Sequence, residues 1–115
     1  MVEKRIQVAF FVAPSGAEPT RDWIRSLDKP DRTRIGEDLK ELEFGWPIGM
    51  PLCRPLGQGL HEMRTNLKDR IARLMFGVVE GKLVVVHGFI KKSQATPAGD
   101  LELARKRLKI VKDWT

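Results

Sequence analysis

The sequence predicts an α+β domain: a small, mostly antiparallel, twisted sheet of about four strands, with a two-helix hairpin on one face and a C-terminal helix. The expected element order is β-α-α-β-β-β-α. Three observations carry this. Three β-like runs, "GLHEMRT", "RIARLMFGVV" and "KLVVVHGFI", follow one another with only short turns between them, the pattern of a meander. Two stretches before them and one after carry apolar residues at three- and four-residue spacing, as amphipathic helices do. At 115 residues the chain can bury one modest core but not two, so residues 1–115 are read as one domain.

The first segment, "KRIQVAFF", alternates as a strand: Ile6, Val8 and Phe10 share one face, Gln7, Ala9 and Phe11 the other. "APSG" ends it. Pro19 suits the first turn of a helix, and Trp23, Ile24 and Leu27 fall on one side of "TRDWIRSL". After a break at "DKPD", Pro30 marks a second helix start, with Ile35, Leu39 and Leu42 as its apolar stripe. The two form a hairpin. Gly45 is expected to cap the second helix in the left-handed conformation, and Pro47 to block its continuation. From there to "RPLGQG" the Pro and Gly content predicts a linker.

The three strands of the meander follow, with Glu80 and Gly81 forming the tight turn between the last two. The third is the most continuously apolar, so it belongs inside the sheet with both faces covered. Finally "TPAGDLELARKRLKIVKDW" offers Thr96 as N-cap, Pro97 at the first helical position, acids early and bases late. Leu101, Ala104, Leu108 and Val111 make its stripe. The helices are expected in one layer on one face of the sheet.

Composition narrows the function. Lys and Arg number 21 against 15 Asp and Glu, a formal net charge of +6, which favours a polyanion or an acidic partner. One cysteine, Cys53, can form no internal disulfide, and a reducing cytoplasm is expected. No signal-peptide pattern and no apolar run of membrane-spanning length occurs, so no membrane partner is expected. Cys53, His61 and His87 make no compact metal pattern. No phosphate-loop signature or nucleophile elbow is present, and no cofactor or metal is expected.

The cations that strand geometry can gather are Arg64, Arg70, Arg73, Lys91 and Lys92. Arg73 stands in an apolar run, either paired with Glu62 or anchored as a guanidinium on an open face. Cleavage of an RNA phosphodiester by its own ribose hydroxyl needs a base, cationic donors for the crowded phosphorane oxygens, and a proton for the leaving oxygen. Arginine supplies forked donors of fixed charge; lysine or histidine can exchange the proton. His61, after the flexible "GQGL", is the better acid or base candidate, while His87 within the apolar strand reads as a hydrogen-bonded structural residue.

In "LGQGLHEMRT", "RIARLMF" and "VVVHGFIKKSQATP", followed by an acidic helix start and "LARKR", the chain resembles the phage-derived, HigB-like branch of the RelE/ParE toxin superfamily of type II toxin–antitoxin systems. That resemblance implies a ribosome-dependent endoribonuclease (an mRNA interferase) that arrests translation, needs no metal, and pairs with a helix-turn-helix antitoxin. It implies the ribosome and mRNA as further partners, and a homo-oligomer or a toxin–antitoxin hetero-oligomer as the assembly. By position it implies Arg64, Arg73, Lys91 and Lys92 as RNA-facing or catalytic cations; together with the reading of the residues, Arg73, Lys91, His61 and Arg64 are the catalytic candidates and Arg70, Lys92, Lys68 and Phe89 the RNA-binding ones. The chain has no tyrosine, so a tyrosine acid must be replaced; Phe76 or Phe89 can stack on a base but cannot donate a proton. The ParE branch shares the fold and inhibits DNA gyrase without nuclease chemistry, and an inactive prophage-derived binding protein is the third alternative.

Overall fold

The computed structural model describes residues 3–91 and 97–114, the side chain of Lys91 excepted. Its elements are β1 (Gln7–Phe10), α1 (Pro19–Ser26), α2 (Lys29–Gly45), β2 (Cys53–Gly57), β3 (Leu60–Leu67), β4 (Arg70–Val79), β5 (Lys82–Lys91) and α3 (Ala98–Trp114). The strands form one sheet in the order β1-β5-β4-β3-β2. β2 to β5 pair antiparallel, and β1 runs parallel to β5. The α+β class holds, with five strands rather than four.

The β4–β5 turn fixes the register on which the rest depends. Glu80 and Gly81 both take positive φ, 48° and 75°, as a two-residue hairpin turn requires, and Val79 then faces Lys82. An extra residue in β5 between the Met75–His87 and Phe76–Val85 pairs makes a bulge, which keeps Val86 and His87 on the same side of the sheet.

Alternation along the strands sorts the apolar side chains into two cores. Met63, Ala72, Leu74, Phe76, Leu83 and Val85 meet Ile35, Leu39 and Leu42 of α2, with Trp23, Ile24 and Leu27 of the α1 region beside them. Leu60, Met75, Val84 and Val86 meet Ala104 and Leu108 of α3 on the opposite face. β5 is thus interior and covered on both sides, as expected. The expected single helical layer is corrected: α1 and α2 cover one face and α3 the other, because Val84 and Val86 leave a second apolar surface that must be buried.

Two local expectations also change. Gly45 is helical rather than left-handed; α2 stops at Trp46, whose N–H donates to Leu42 O at 3.0 Å. A Cβ on Gly45 would lie 3.0 Å from Ile48 Cδ1, so close packing is what favours glycine there. The expected linker contains β2, an edge strand in which Pro55 sits opposite His61, a place where a missing N–H costs no ladder bond. Thr96, the expected N-cap of α3, lies outside the described residues; Pro97 O accepts the first helical bond, from Leu101 N at 3.1 Å.

Candidate functional site

On the α3 face, beyond the part that α3 covers, three adjacent strands each contribute an arginine. Arg64 of β3 stands directly across from Arg73 of β4, and Arg54 of β2 across from Glu62 of β3. Strand alternation therefore puts Arg54, Glu62, Arg64 and Arg73 on one surface. The side chains of Glu62 and Arg73 are fully buried. Glu62 Oε1 accepts a hydrogen bond from Arg54 Nε at 3.0 Å and lies 3.6 Å from Arg73 Nη1.

Two guanidinium groups thus share one carboxylate, and a third, Arg64, stands across from Arg73 on the same surface. Burial pushes the Arg73 pKa down, Glu62 opposes that, and Arg64 and Arg54 add to it. Arginine nonetheless stays protonated at neutral pH. Arg54 is about 33% exposed and Arg64 is half-buried, so these two reach solvent while Arg73 is enclosed. Arg64 also lines a cleft of about 410 Å³ with Asn66, the loop Ile48–Leu52, and Arg34, Asp38 and Glu41 of α2.

Phe89 joins this surface from β5, opposite Arg73. Its half-buried ring stacks on His87, with centroids 5.6 Å apart. His87 Nε2 lies 2.7 Å from Asp100 Oδ1 in the first turn of α3, the hydrogen-bonded role read for it from the sequence. The backbone of Lys91 pairs with Ile71; its side chain, and Lys92 altogether, lie outside the described residues.

The other sequence candidates are not brought to the arginines. His61 projects to the α2 face. There its ring stacks on Phe76 (centroids 5.4 Å, interplanar angle 15°) and meets Trp46 edge-on at 5.2 Å. Burial lowers its pKa, as expected when a cation would lose water. Arg70 likewise lies on the α2 face, its Nη2 2.8 Å from Asp31 Oδ2. Lys68 is exposed in the β3–β4 turn, where its carbonyl accepts from Arg70 Nε at 3.3 Å.

Sequence reasoning missed Arg54 and the central position of Glu62. Arg54 is hidden because β2 lies in a Pro- and Gly-rich stretch; the available signal is the alternation of Cys53 and Pro55 against Arg54 and Leu56, closed by Gly57. Among the described residues no group of three or more metal-ligating side chains occurs, and no helix is long and apolar enough to cross a membrane.

The arrangement suits an anion of more than one charge. Arg54 and Arg64 offer forked donors to oxygens, and Phe89 offers an aromatic ring beside them for stacking.

Comparison with known proteins adds a family and a fold. The family described as Phage derived protein Gp49-like (DUF891) matches residues 22–109, a span running from α1 into α3 and including every arginine of the cluster. No curated protein matches the chain. Among solved structures, a chain in the crystal structure of the archaeal RelE–RelB complex from Pyrococcus horikoshii OT3 superposes with a TM-score of 0.52. The two share 15% identity, and the match covers 79% of this chain and 99% of the other. At that identity the likeness speaks to the fold alone.

Proposed function

Because the chain belongs to the phage-derived Gp49-like protein family, we propose that it is the toxin of a type II toxin–antitoxin pair, of the HigB-like branch of the RelE/ParE superfamily. It acts in the cytoplasm as a ribosome-dependent endoribonuclease, needs no metal, and is held inactive by a helix-turn-helix antitoxin. The observation that carries this reading is the pairing of Arg54 and Arg73 with Glu62, with Arg64 directly across from Arg73 on one side and Phe89 on the other. An RNA backbone is the polyanion that this mixture of forked cations and one aromatic ring fits best.

In the proposed reaction the 2′-hydroxyl adjacent to the scissile phosphate attacks phosphorus, forming a 2′,3′-cyclic phosphate and expelling the 5′-oxygen. Arg64 and Arg54 donate to the non-bridging oxygens as charge builds on them, which stabilises the phosphorane more than the ground state. Arg73 contributes its fixed charge from behind. Phe89 stacks on a flanking base. Lys91, whose backbone pairs with Ile71 at the end of β5, is assigned the transfer of the proton from the attacking 2′-oxygen to the leaving 5′-oxygen. His61, on the other face of the sheet, takes no part.

The test in cells is direct. Induced expression should stop growth and incorporation of labelled methionine within minutes, leave plasmid supercoiling unchanged, and be reversed by co-expression of a helix-turn-helix antitoxin. Relaxed or broken plasmid DNA with intact messages would instead support gyrase inhibition.

A further inference from the structure

Glu62 is the anomaly of the arginine cluster. On charge alone a carboxylate weakens a site for a polyanion, since it cancels one of three nearby cations. Yet it is fully enclosed, at the centre of the β2–β3–β4 register. One oxygen, Oε1, serves Arg54 at 3.0 Å and faces Arg73 at 3.6 Å, so a single group on β3 ties side chains from the strands on either side of it.

An arginine is useful to a phosphate only when its planar fork is held in one orientation, because long side chains otherwise lose their entropy on binding. Arg54 lies on an edge strand and is about one-third exposed, the situation in which a guanidinium would sample many rotamers. Its bond to Glu62 removes that freedom. Arg73, directly across from Arg64, is enclosed with Glu62 and stands 3.6 Å from its Oε1.

We infer that Glu62 is a positioning residue that holds Arg54 and Arg73 as the back and side of an oxyanion cradle for a nucleotide phosphate, with Arg54 as a direct phosphate ligand beside Arg64. This rests on the RNA reading above, and goes beyond it in assigning a ligand from β2 and a role to a buried acid.

The test exploits opposite signs. Neutralising Glu62 adds one net positive charge, so if the carboxylate only fills space, Glu62→Gln binds RNA as well as or better than the wild type. If it positions Arg54, Glu62→Gln binds more weakly, by roughly tenfold, with a salt slope shallower by about one phosphate contact. The probe is a fluorescent 2′-O-methyl oligonucleotide, which cannot be cleaved, titrated by anisotropy at several salt concentrations without ribosomes. Arg54→Lys, which keeps the charge but loses the fork, should weaken binding similarly; being partly exposed, it keeps the test sound even where Glu62→Gln fails to fold. Equal or tighter binding by Glu62→Gln, or unchanged binding by Arg54→Lys, overturns the positioning role alone. A folded wild-type chain that does not bind the probe overturns the RNA reading and this inference with it.

Discussion

Arg73 shows how burial decides which substitution is informative. Its side chain and that of Glu62 are both fully enclosed, and removing one member of a buried ion pair typically costs about 3–5 kcal/mol. Arg73→Ala should therefore lose activity largely by losing the fold, visible as a collapse of the urea midpoint. Arg64 is only half-buried. Arg64→Ala is expected to keep its melting transition within a few degrees while cleavage falls by roughly 10²-fold, the order lost with one oxyanion donor; full activity in a folded Arg64→Ala protein would remove it from the site. His61 gives a pH signature of structure rather than of catalysis. Its pKa is lowered in the fold from the ordinary 6.5 by burial, so the unfolded chain binds the proton more readily. Stability should then fall as pH drops below about 6.5 and level off once the folded pKa is passed. His61→Phe should flatten that part of the urea-midpoint profile between pH 7.5 and 5; parallel profiles would contradict it. Arg73 was legible in the sequence as an arginine out of place in an apolar run, whereas the separation of His61 and Arg70 from it follows from alternation on paired strands, which needs the register.

Register in turn belongs to the elements, where turn chemistry was easy to read and edge strands were not. Glu80–Gly81 announced the β4–β5 hairpin, and the apolar continuity of β5 announced an interior strand. β2 announced nothing: a five-residue strand (Cys53–Gly57) containing Pro55 looks like punctuation until β3 is there to pair with it. Helix placement was equally hidden, because stripes on α2 and α3 say that each is buried but not on which side. Packing of α1 against β5 yields a prediction at this scale. A Cβ on Gly88 would lie 2.6 Å from Cζ3 of Trp23, a rigid ring with little room to give. Gly88→Ala should destabilise the fold by about 1–3 kcal/mol as an overpacked site, measurable by urea unfolding, and a paired Trp23→Leu should recover part of the loss. Unchanged stability in Gly88→Ala would show that α1 is not held against β5 as described. Cys53 on β2 reports the same packing from the other edge: burial, with Asp38 and Glu41 nearby, pushes its thiol up to about 12, so iodoacetamide at pH 8 should label it only after denaturation. Prompt labelling of the native protein would mean that β2 is not seated on β3.

For the whole molecule, the sheet separates two tasks. The α2 face and the part of the α3 face around Leu60 and Met75 build the cores, and the remainder of the α3 face is left to gather charge. The formal net charge of +6 reaches beyond that face, so long-range attraction should speed encounter with any polyanion and fade with salt. Salt-dependent affinity for RNA therefore supports the basic face without showing cleavage, which only cutting at defined positions in a translated message demonstrates. An apolar cleft of about 360 Å³ between Phe10, Phe11, Val84, Ile110 and Trp114 includes none of the clustered arginines. Ribosome-dependent cleavage is tested most simply by primer extension on a defined message incubated with the purified protein, with and without ribosomes. New 5′ ends are expected within the reading frame, appearing only when ribosomes are present and disappearing with Arg64→Ala. A message left intact on translating ribosomes by folded wild-type protein would contradict ribosome-dependent cleavage.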